Sequence, residues 1–358
     1  MPDPITYRDS GVDIDAGNEA VQRIKKILAS SPKKVPGGMV IGGIGGFAGL
    51  FKPFLENYTE PLLVGSTDSV GTKILLALEH KKLNGIGQDV VAMCVNDLIA
   101  SGSRPLFFLD YLGLNKADPD DIAALVKSVN DACIASDCIL IGGECAEMPD
   151  MYAPGHTDLA GFAVGIVDRD KVIDGSKVKP GDAVIGLQSS GIHSNGFTLV
   201  RKLIDRAEWK LSEPMPGDEK PLIDVILEPT RLYVRAIMNL IELLEVKALA
   251  HITGGGLIDN VPRAFPDQLA WKVAPDSWPI PKIFSLIQSS AKISGEEMWR
   301  TFNCGIGFVA VVDKAHLERA LVSLKKSGEK PMYIGEIIEK RSSYGDDIVI
   351  DSDGLHAP

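Results

Sequence analysis

Acidic side chains lie within or directly after three runs of the sequence that have strand or helix character. They are Asp68, Asp97 and Glu144. Ligands of α/β sheets commonly lie beyond the ends of the strands. Mg²⁺ bound to a nucleoside triphosphate typically uses one or two protein carboxylates together with phosphate oxygens. The three carboxylates therefore predict a site for Mg²⁺ and a nucleoside triphosphate.

The segment Gly65–Lys73 places Asp68 shortly before Gly71, Thr72 and Lys73. Gly71 would let the backbone approach a phosphate group, and Lys73 would offer a cation to its oxygens. The segment is not a Walker A loop, because no glycine stands six positions before Lys73. A strand-to-helix junction capped by Asp or Ser explains the same residues equally well.

Two further segments place carboxylates beside apolar or small residues. Asn96 and Asp97 lie within an otherwise apolar helical run. A buried charge is costly unless it is paired or bound to a metal, so Asp97 is either a metal ligand or one member of a salt bridge. Gly142 and Gly143 end a predicted buried strand directly before Glu144. A glycine turn beside a carboxylate is the alternative to a ligand site there.

The loop 189–196 lies between a predicted strand and a predicted helix. Its candidate ligand residues are Ser190, Gly191, His193 and Asn195. Hydroxyl groups and backbone amides at a helix start bind anions, and histidine titrates in the range suited to proton transfer. We therefore expect a substrate loop in which His193 does acid–base work, with a purely structural histidine as the alternative.

A glycine-rich segment follows another predicted strand. Its candidate ligand residues are Thr253, Gly254 and Gly255. Successive backbone amides in such a segment can form a nest for a phosphate group. A flexible turn is the alternative interpretation.

The stretch Pro32–Gly49 is rich in glycine and proline, and we expect it to be an active-site loop. Its candidate nucleotide-binding residues are Gly45, Gly46 and Phe47. The stretch does not match the dinucleotide-binding fingerprint, because Ala48 replaces the last glycine and no clear strand precedes it.

Strand-like and helix-like runs alternate from residue 61 onward. Predicted strands include Pro105–Leu114 and Ala183–Leu187, and predicted helices include Gln88–Ser101 and Pro119–Ser136. This interleaving is typical of the α/β or α+β class. The polar, turn-rich stretch 168–181 is the best candidate boundary. The predicted domains are 1–170 and 171–345, followed by a tail, 346–358.

Net charge and cysteine spacing limit the classes of ligand and site that the protein is expected to have. The net charge is -11, which disfavours binding to nucleic acids or to anionic membranes. Five cysteines without Cys-x-x-Cys spacing argue against a disulfide framework and a zinc cluster. Residues 1–15 lack the pattern of a signal peptide, and no stretch reaches the length of a membrane span. We therefore expect a soluble cytoplasmic protein.

Several long segments resemble the family of phosphoribosylformylglycinamidine cyclo-ligases, also called aminoimidazole ribonucleotide synthetases. They occur in the same order and span nearly the whole chain, which makes the resemblance highly specific. The segments are 7–17, 68–73, 91–97, 105–111, 142–152, 189–196, 251–256 and 300–305. Related ATP-using families, such as selenophosphate synthetase and thiamine-phosphate kinase, share the general fold but are not expected to share the first and last of these segments.

The resemblance implies a two-domain fold. The amino-terminal domain would bind ATP and form a barrel with the strands of a second copy in a homodimer, and the carboxyl-terminal domain would be α/β. The implied reaction is ATP-dependent closure of formylglycinamidine ribonucleotide to 5-aminoimidazole ribonucleotide, with release of ADP and phosphate, in purine biosynthesis. The implied ligands are this substrate, ATP and Mg²⁺.

The resemblance also implies residue roles. The metal ligands would be Asp68, Asp97 and Glu144. The remaining nucleotide-binding residues would be Gly45, Gly46, Phe47, Gly71, Thr72, Lys73, Asn96, Gly142 and Gly143. The substrate would contact Ser190, Gly191, His193, Asn195, Thr253, Gly254 and Gly255. The catalytic residues would be His193, Lys73 and Asp68.

Four residues depart from the family pattern beside the expected nucleotide site. Ala48, Ser69 and Asp150 stand where glycine is usual, and Cys145 stands where threonine is usual. Ser69 matters most, because a positive φ there would cost a non-glycine residue about 1 kcal/mol.

Two other functions are compatible with these motifs. A kinase-like or selenophosphate-type enzyme would turn over ATP with thiamine phosphate or selenide. A regulatory nucleotide-binding protein would bind ATP without turnover, and its function would be insensitive to His193→Ala.

Overall fold

The computed structural model describes residues 6–7, 9–42, 46, 48–274, 276–340 and 348–350. The chain divides into two compact units. The first comprises Met1–Val95 with Pro105–Ile166, and the second comprises Asn96–Arg104 with Val167–Pro358.

The amino-terminal unit combines a three-stranded sheet, a four-stranded sheet and helices. Its strands are β1 (Lys34–Val35), β2 (Gly38–Ile41), β3 (Leu50–Pro53), β4 (Pro61–Ser69), β5 (Arg104–Leu114), β6 (Ile139–Glu147) and β7 (Thr157–Asp168). Its helices are α1 (Ile14–Ala29), α2 (Lys73–Glu79), α3 (Ile86–Ala100), which continues into the second unit, and α4 (Pro119–Ala135). The strand orders are β1-β2-β3 and β4-β7-β5-β6.

Capping side chains fix the first residues of α1 and α4, two long helices that line a cavity in this unit. The side chain of Asp13 accepts hydrogen bonds from the backbone amides of Asp15 and Ala16 at the start of α1. Asp118 caps α4 in the same way, and Pro119 occupies the first helical position. Such caps satisfy amides that have no partner inside the helix.

Side chains along β5 alternate between buried and partly exposed positions, so one face of the four-stranded sheet is buried. Leu106, Phe108 and Leu112 are buried on that face. A Cβ atom at Gly161 on β7 would lie 2.2 Å from the Phe108 ring and 3.0 Å from Val90 of α3. Only a residue without a side chain therefore lets this ring and helix pack against the sheet.

A buried ion pair lies at the start of α2. Lys73 and Asp89 are both fully buried, and the Lys73 ammonium lies 2.9 Å from the Asp89 carboxylate. The desolvation of both charges makes such a pair weak evidence for net stability, but loss of one partner leaves an uncompensated buried charge.

The carboxyl-terminal unit is built on a six-stranded sheet. Its strands are β8 (Ala183–Gln188), β9 (Val246–His251), β10 (Leu269–Val273), β11 (Ile306–Val312), β12 (Pro331–Glu339) and β13 (Ile348–Ile350). Its helices are α5 (Phe197–Arg206), α6 (Leu222–Ile226), α7 (Val234–Leu243), α8 (Gly256–Asn260), α9 (Lys282–Ala291), α10 (Gly295–Thr301) and α11 (Leu317–Lys326). The strand order is β13-β10-β12-β8-β11-β9.

The centre of this sheet is fully buried. Every residue of β9 and β11 is buried, and β8 is buried up to its last residue. These near-continuous apolar runs are typical of strands covered on both faces. At one end of the sheet, the buried Lys247 ammonium pairs with the Asp182 carboxylate at 2.6 Å.

The interleaved α/β prediction is confirmed, and the main strands and helices end within a few residues of their predicted bounds. The prediction of a loop over Pro32–Gly49 is wrong in part, because β1 and β2 form within it. Short strands with few alternating residues carry little periodicity, which explains the error. Ile348–Ile350, placed in the predicted tail, pair with β10 as β13.

No helix in the described part of the chain is both long and apolar enough to cross a membrane.

The buried pair predicts a large effect of one substitution. Asp89→Asn should lower the free energy of unfolding by about 3–5 kcal/mol, because it strands the Lys73 charge. Urea unfolding measures the loss. Asp131→Asn breaks the exposed i,i+4 pair with Lys127 and should cost only about 0.5 kcal/mol. Equal losses in the two variants would contradict this account.

Candidate functional site

Asp68 and Glu144 occupy opposite edges of the four-stranded sheet. Asp68 lies on β4, and Glu144 lies on β6. The two strands are the first and last of the order β4-β7-β5-β6, so about 14 Å of sheet separates them at the usual strand spacing. The sheet of a single chain therefore does not bring both carboxylates onto one ion.

The expected metal centre stays a prediction. Carboxylate oxygens are suitable ligands for Mg²⁺, and one oxygen each of Asp68 and Glu144 accepts a hydrogen bond from the next backbone amide, at 2.7 and 2.9 Å. Within the described ranges, however, no three His, Cys, Asp or Glu side chains are grouped closely enough to hold a metal ion.

Lys73 lies in the buried ion pair with Asp89 and has no solvent exposure. This placement does not support a direct contact between its ammonium and a phosphate group, so the assigned catalytic and nucleotide-binding roles of Lys73 stay predictions. The neighbouring Gly71 adopts a φ of +68°, which glycine accommodates readily, and Thr72 precedes α2 as its N-cap residue.

The glycine loop after β2 is only partly described. Gly45 and Phe47 lie outside the described residues. Gly46 and Ala48 line a cavity of about 640 Å³ in the amino-terminal unit. Their nucleotide contacts stay predictions.

This cavity also collects the predicted residues Gly142, Gly143 and Glu144. Much of its wall is apolar and comes from α1, α4, β5 and β6. The apolar lining includes Ile14, Ala20, Val21, Ile24, Leu28, Leu109, Leu112, Val126 and Leu140. A concave site of this size that is mostly apolar and carries a few polar groups is typical of small-molecule binding.

Two backbone segments are held at the cavity wall by one carboxylate. Glu147 accepts a hydrogen bond from the Asp13 amide at 2.6 Å and from the Ala117 amide at 2.8 Å. These bonds fix the start of α1 and the approach to α4. Both oxygens of Glu147 are thereby engaged in structure.

In the carboxyl-terminal unit, Asp97 forms a hydrogen bond with a buried histidine. Its Oδ1 lies 2.9 Å from Nδ1 of His251. The Asn96 amide group donates to the Arg231 carbonyl at 2.9 Å and lies 3.4 Å from Nε2 of His251. Because Asn96 Oδ1 accepts from the Tyr233 amide, its amide nitrogen faces the ring, and Nε2 acts as an acceptor. His251 therefore donates from Nδ1 to Asp97.

The side chain of His193 is buried, and its backbone adopts the left-handed conformation. Its φ is 67°, and its Nε2 accepts a hydrogen bond from the Ser190 amide at 3.2 Å. Left-handed backbone is strained for residues other than glycine and clusters at functional sites. The catalytic role of His193 stays a prediction, as do the substrate contacts of the loop.

Asn303 holds this loop in place. Its amide group donates to the carbonyl oxygens of Gly191 and Ile192 at 2.8 and 3.0 Å, and its Oδ1 accepts from the Gly305 amide at 2.9 Å. Asn303 is buried, so these bonds satisfy groups that water does not reach.

The structure brings two of the predicted substrate segments together. A Cβ atom at Gly254 would lie 3.7 Å from the Asn195 amide nitrogen. The side chain of Asn260 fixes the glycine segment by donating to the carbonyl oxygens of Gly254 and Gly256 at 3.0 and 2.8 Å. The roles of Thr253, Gly254 and Gly255 in phosphate binding stay predictions.

Three residues of these sites had no predicted role. They are Asp110, His251 and Asn303. Asp110 interrupts an otherwise apolar strand, which is a signal that sequence can give. The partners of His251 and Asn303 are distant in sequence, so pattern alone did not reveal them.

The departures from the family pattern are accommodated without backbone strain. Ser69 and Asp150 are not among the described residues with positive φ. The cost considered for Ser69 therefore does not arise.

Comparisons with known proteins cover both units. Residues 54–167 match the family described as AIR synthase related protein, N-terminal domain, and residues 179–347 match its C-terminal domain. Phosphoribosylformylglycinamidine cyclo-ligase of Chromobacterium violaceum is 47% identical, over 94% of this chain and 96% of the relative. The enzyme of the same name from Cupriavidus metallidurans is 47% identical over 97% of each chain.

Solved structures at lower identity show the same fold. Thiamine-monophosphate kinase from Stenotrophomonas maltophilia has a TM-score of 0.68 at 19% identity, covering 94% of this chain and 96% of that one. HypE of E. coli, a hydrogenase maturation protein, has a TM-score of 0.67 at 16% identity, covering 96% and 95%. These results confirm the expected two-domain fold class.

The Asn303 network predicts a sensitive position. Asn303→Ala should lower the free energy of unfolding by about 3 kcal/mol, because it leaves two carbonyl groups and one amide buried without partners. Urea unfolding monitored by tryptophan fluorescence measures this loss. Asn239→Ala removes an exposed hydrogen bond to Ser327 and is the matched control. A loss at Asn303 no larger than the control would refute the role assigned to it.

Proposed function

The chain belongs to the family of phosphoribosylformylglycinamidine cyclo-ligases, and we propose that it closes formylglycinamidine ribonucleotide to 5-aminoimidazole ribonucleotide with conversion of ATP to ADP and phosphate. The observation that carries the proposal is the 47% identity to enzymes of that name across both units. The cavity and the clamped His193 loop provide candidate ligand sites in the two units.

The formyl oxygen is a poor leaving group, so the ring cannot close until this oxygen is activated. In the proposed reaction, the formyl oxygen attacks the γ-phosphorus of ATP, and the bond from that phosphorus to ADP breaks. The amidine nitrogen of the same molecule then attacks the formyl carbon. The carbon–oxygen bond breaks, phosphate leaves with the former formyl oxygen, and the nitrogen loses a proton. Because both reacting groups belong to one substrate, orientation and charge neutralisation are the enzyme's main tasks.

We assign the substrate to the carboxyl-terminal loops. Asn195 supplies a polar group beside Gly254, Ser190 and Gly191 would add further contacts, and amides of 253–255 would hold the ribose phosphate. His193 would stabilise charge or move a proton at the amidine nitrogen. Its position is fixed by Asn303 through the neighbouring carbonyl groups, which supports a positioned rather than a mobile imidazole.

We assign Mg²⁺ to the carboxylates Asp68, Asp97 and Glu144. The ion would neutralise the triphosphate during transfer. Asp97 suits this role because half of its side chain is accessible while His251 fixes its other side by a hydrogen bond. Asp68 and Glu144 lie at opposite sheet edges, so the proposal assigns them to different ions or to a sheet completed by a second copy.

A homodimer is part of the proposal. Leu63 on β4 is 71% exposed and Phe162 on the neighbouring β7 is 45% exposed. β4 and β6 are both edge strands of the described sheet, and unpaired edges favour pairing with another chain. A barrel closed with the sheet of a second copy would cover these features. All five cysteines are in the thiol form and form no disulfide bond with each other, which supports a cytoplasmic setting.

The relation to thiamine-monophosphate kinase and HypE rests on fold alone at under 20% identity, so it does not favour their reactions. A regulatory protein that binds ATP without turnover is the other candidate. An assay of ADP release distinguishes the cyclo-ligase, the kinase-like enzyme and the regulatory protein.

The proposed reaction predicts that ADP release is strictly coupled to ring closure of the substrate. Purified protein with Mg²⁺ should release ADP only when formylglycinamidine ribonucleotide is present, with an equimolar aminoimidazole product detected by diazo coupling. Removal of Mg²⁺ by EDTA should stop turnover. His193→Ala should lower kcat by about 100-fold if the imidazole does acid–base work. Turnover with thiamine phosphate instead, or ATP binding without turnover, would contradict the proposal.

The proposed dimer predicts a change in mass. Leu63→Asp should convert dimers to monomers, because it places a charge in an apolar interface. Light scattering after size-exclusion chromatography measures the mass. Val322→Asp changes an exposed apolar residue on α11 and should leave the dimer intact. A monomeric parent protein, or a dimer unaffected by Leu63→Asp, counts against this interface.

A further inference from the structure

The cavity of the amino-terminal unit contains a carboxyl group that the proposed reaction does not use. Asp110 lies within β5, is 7% exposed and lines the cavity. Its Oδ2 has no hydrogen-bond partner among the residues that the structure describes. Buried polar atoms are nearly always hydrogen-bonded. An unpartnered oxygen beside a cavity therefore indicates that a ligand atom or an ordered water completes its bonding.

The neighbouring strand is shaped around this carboxyl group. Asp110 pairs with Gly143 of β6, and a Cβ atom at Gly143 would lie 1.7 Å from Asp110 Oδ1 and 2.7 Å from its carbonyl oxygen. Glycine at 143 is therefore required to make room for the carboxyl group. This requirement explains the second glycine of the Gly142–Gly143 pair without a phosphate ligand.

Burial favours the uncharged form of this carboxyl group. Burial raises the pKa of Asp110 to about 7. The titratable groups that interact with it are the thiols of Cys133 on α4 and Cys145 on β6, whose pKa values burial also raises, that of Cys145 to about 11. Both thiols are neutral in this range.

The rest of the cavity wall disfavours contact with an anionic group. Its described lining contains no Lys, Arg or His, and its other carboxylates are Asp13, Glu144 and Glu147. Its walls are aliphatic, with the rings of Tyr111 and Phe162 beside them. Such a site suits a flat, uncharged ring with a hydrogen-bonding edge and disfavours a phosphate group.

We propose that Asp110 recognises the edge of the adenine base of ATP. The carbonyl oxygen of the protonated carboxyl group accepts from the exocyclic amine, and its O–H donates to the adjacent ring nitrogen. Guanine presents an acceptor in place of the amine, so the same group disfavours it. This inference rests on the proposed function, because that reaction makes ATP the nucleotide.

The test compares ATP with purine riboside triphosphate, which lacks the exocyclic amine. The unmodified protein should bind ATP about tenfold more tightly, as expected for one hydrogen bond to a buried group. Asp110→Leu should bring this ratio close to one. Asp110→Asn should keep it within about threefold, because a carboxamide also offers one donor edge and one acceptor. A general folding or packing defect weakens both nucleotides and leaves the ratio unchanged.

The pH profile supplies a second readout. As pH rises from 6 to 8.5, the unmodified protein should bind both nucleotides more weakly, because the carboxyl group loses the proton that it donates to the ring nitrogen. Asp110→Asn should show a flat profile. Glu329→Gln changes another buried carboxyl group whose pKa burial raises, in the carboxyl-terminal unit. It should leave the affinity for ATP and the pH dependence of that affinity as in the parent.

An unchanged ratio in Asp110→Leu, or no ATP binding at all, would overturn the inference and leave an ordered water as the partner of Oδ2. Nucleotide binding is measured without the second substrate. If the ratios behave as expected but no aminoimidazole product forms, the proposed reaction fails while the recognition of adenine stands.

Discussion

One carboxylate organises the wall of the ligand cavity. Glu147, at the end of β6, accepts hydrogen bonds from two backbone amides that precede different helices. Backbone amides buried without a partner are costly, so these bonds bind the start of α1 and the approach to α4 to the end of the strand. These two segments therefore converge on one side chain at the wall of the cavity.

In the carboxyl-terminal unit, an amide side chain rather than a carboxylate forms the hydrogen bonds to buried backbone groups. Asn303 satisfies two carbonyl groups of the 189–196 loop and an amide of its own loop. The residues beside it, His193 and Cys304, both have left-handed backbone. Such strained conformations persist only where surrounding contacts fix them. The network therefore holds the His193 side chain in one position, as the proposed ring closure would require.

Sequence patterns predicted the long elements well, because α3, α4, β5 and β8 carry strong periodicity or continuous apolar runs. They did not predict β1, β2 or β13, whose few residues show no period. The loop of His193 and the glycine segment beside Asn195 were both identified from residue type. Their support by Asn303 and Asn260 depends on tertiary contacts. The ion pair that occupies Lys73 was not foreseen, because the burial of both partners follows from packing across α2 and α3.

The central claim is that ATP activates the formyl oxygen of the substrate, so that this oxygen leaves as part of phosphate. Substrate labelled with ¹⁸O at the formyl group tests it directly, with mass spectrometry of the phosphate released in one turnover. The account predicts one ¹⁸O atom in each phosphate molecule. Unlabelled phosphate, with the label released into water, would contradict it.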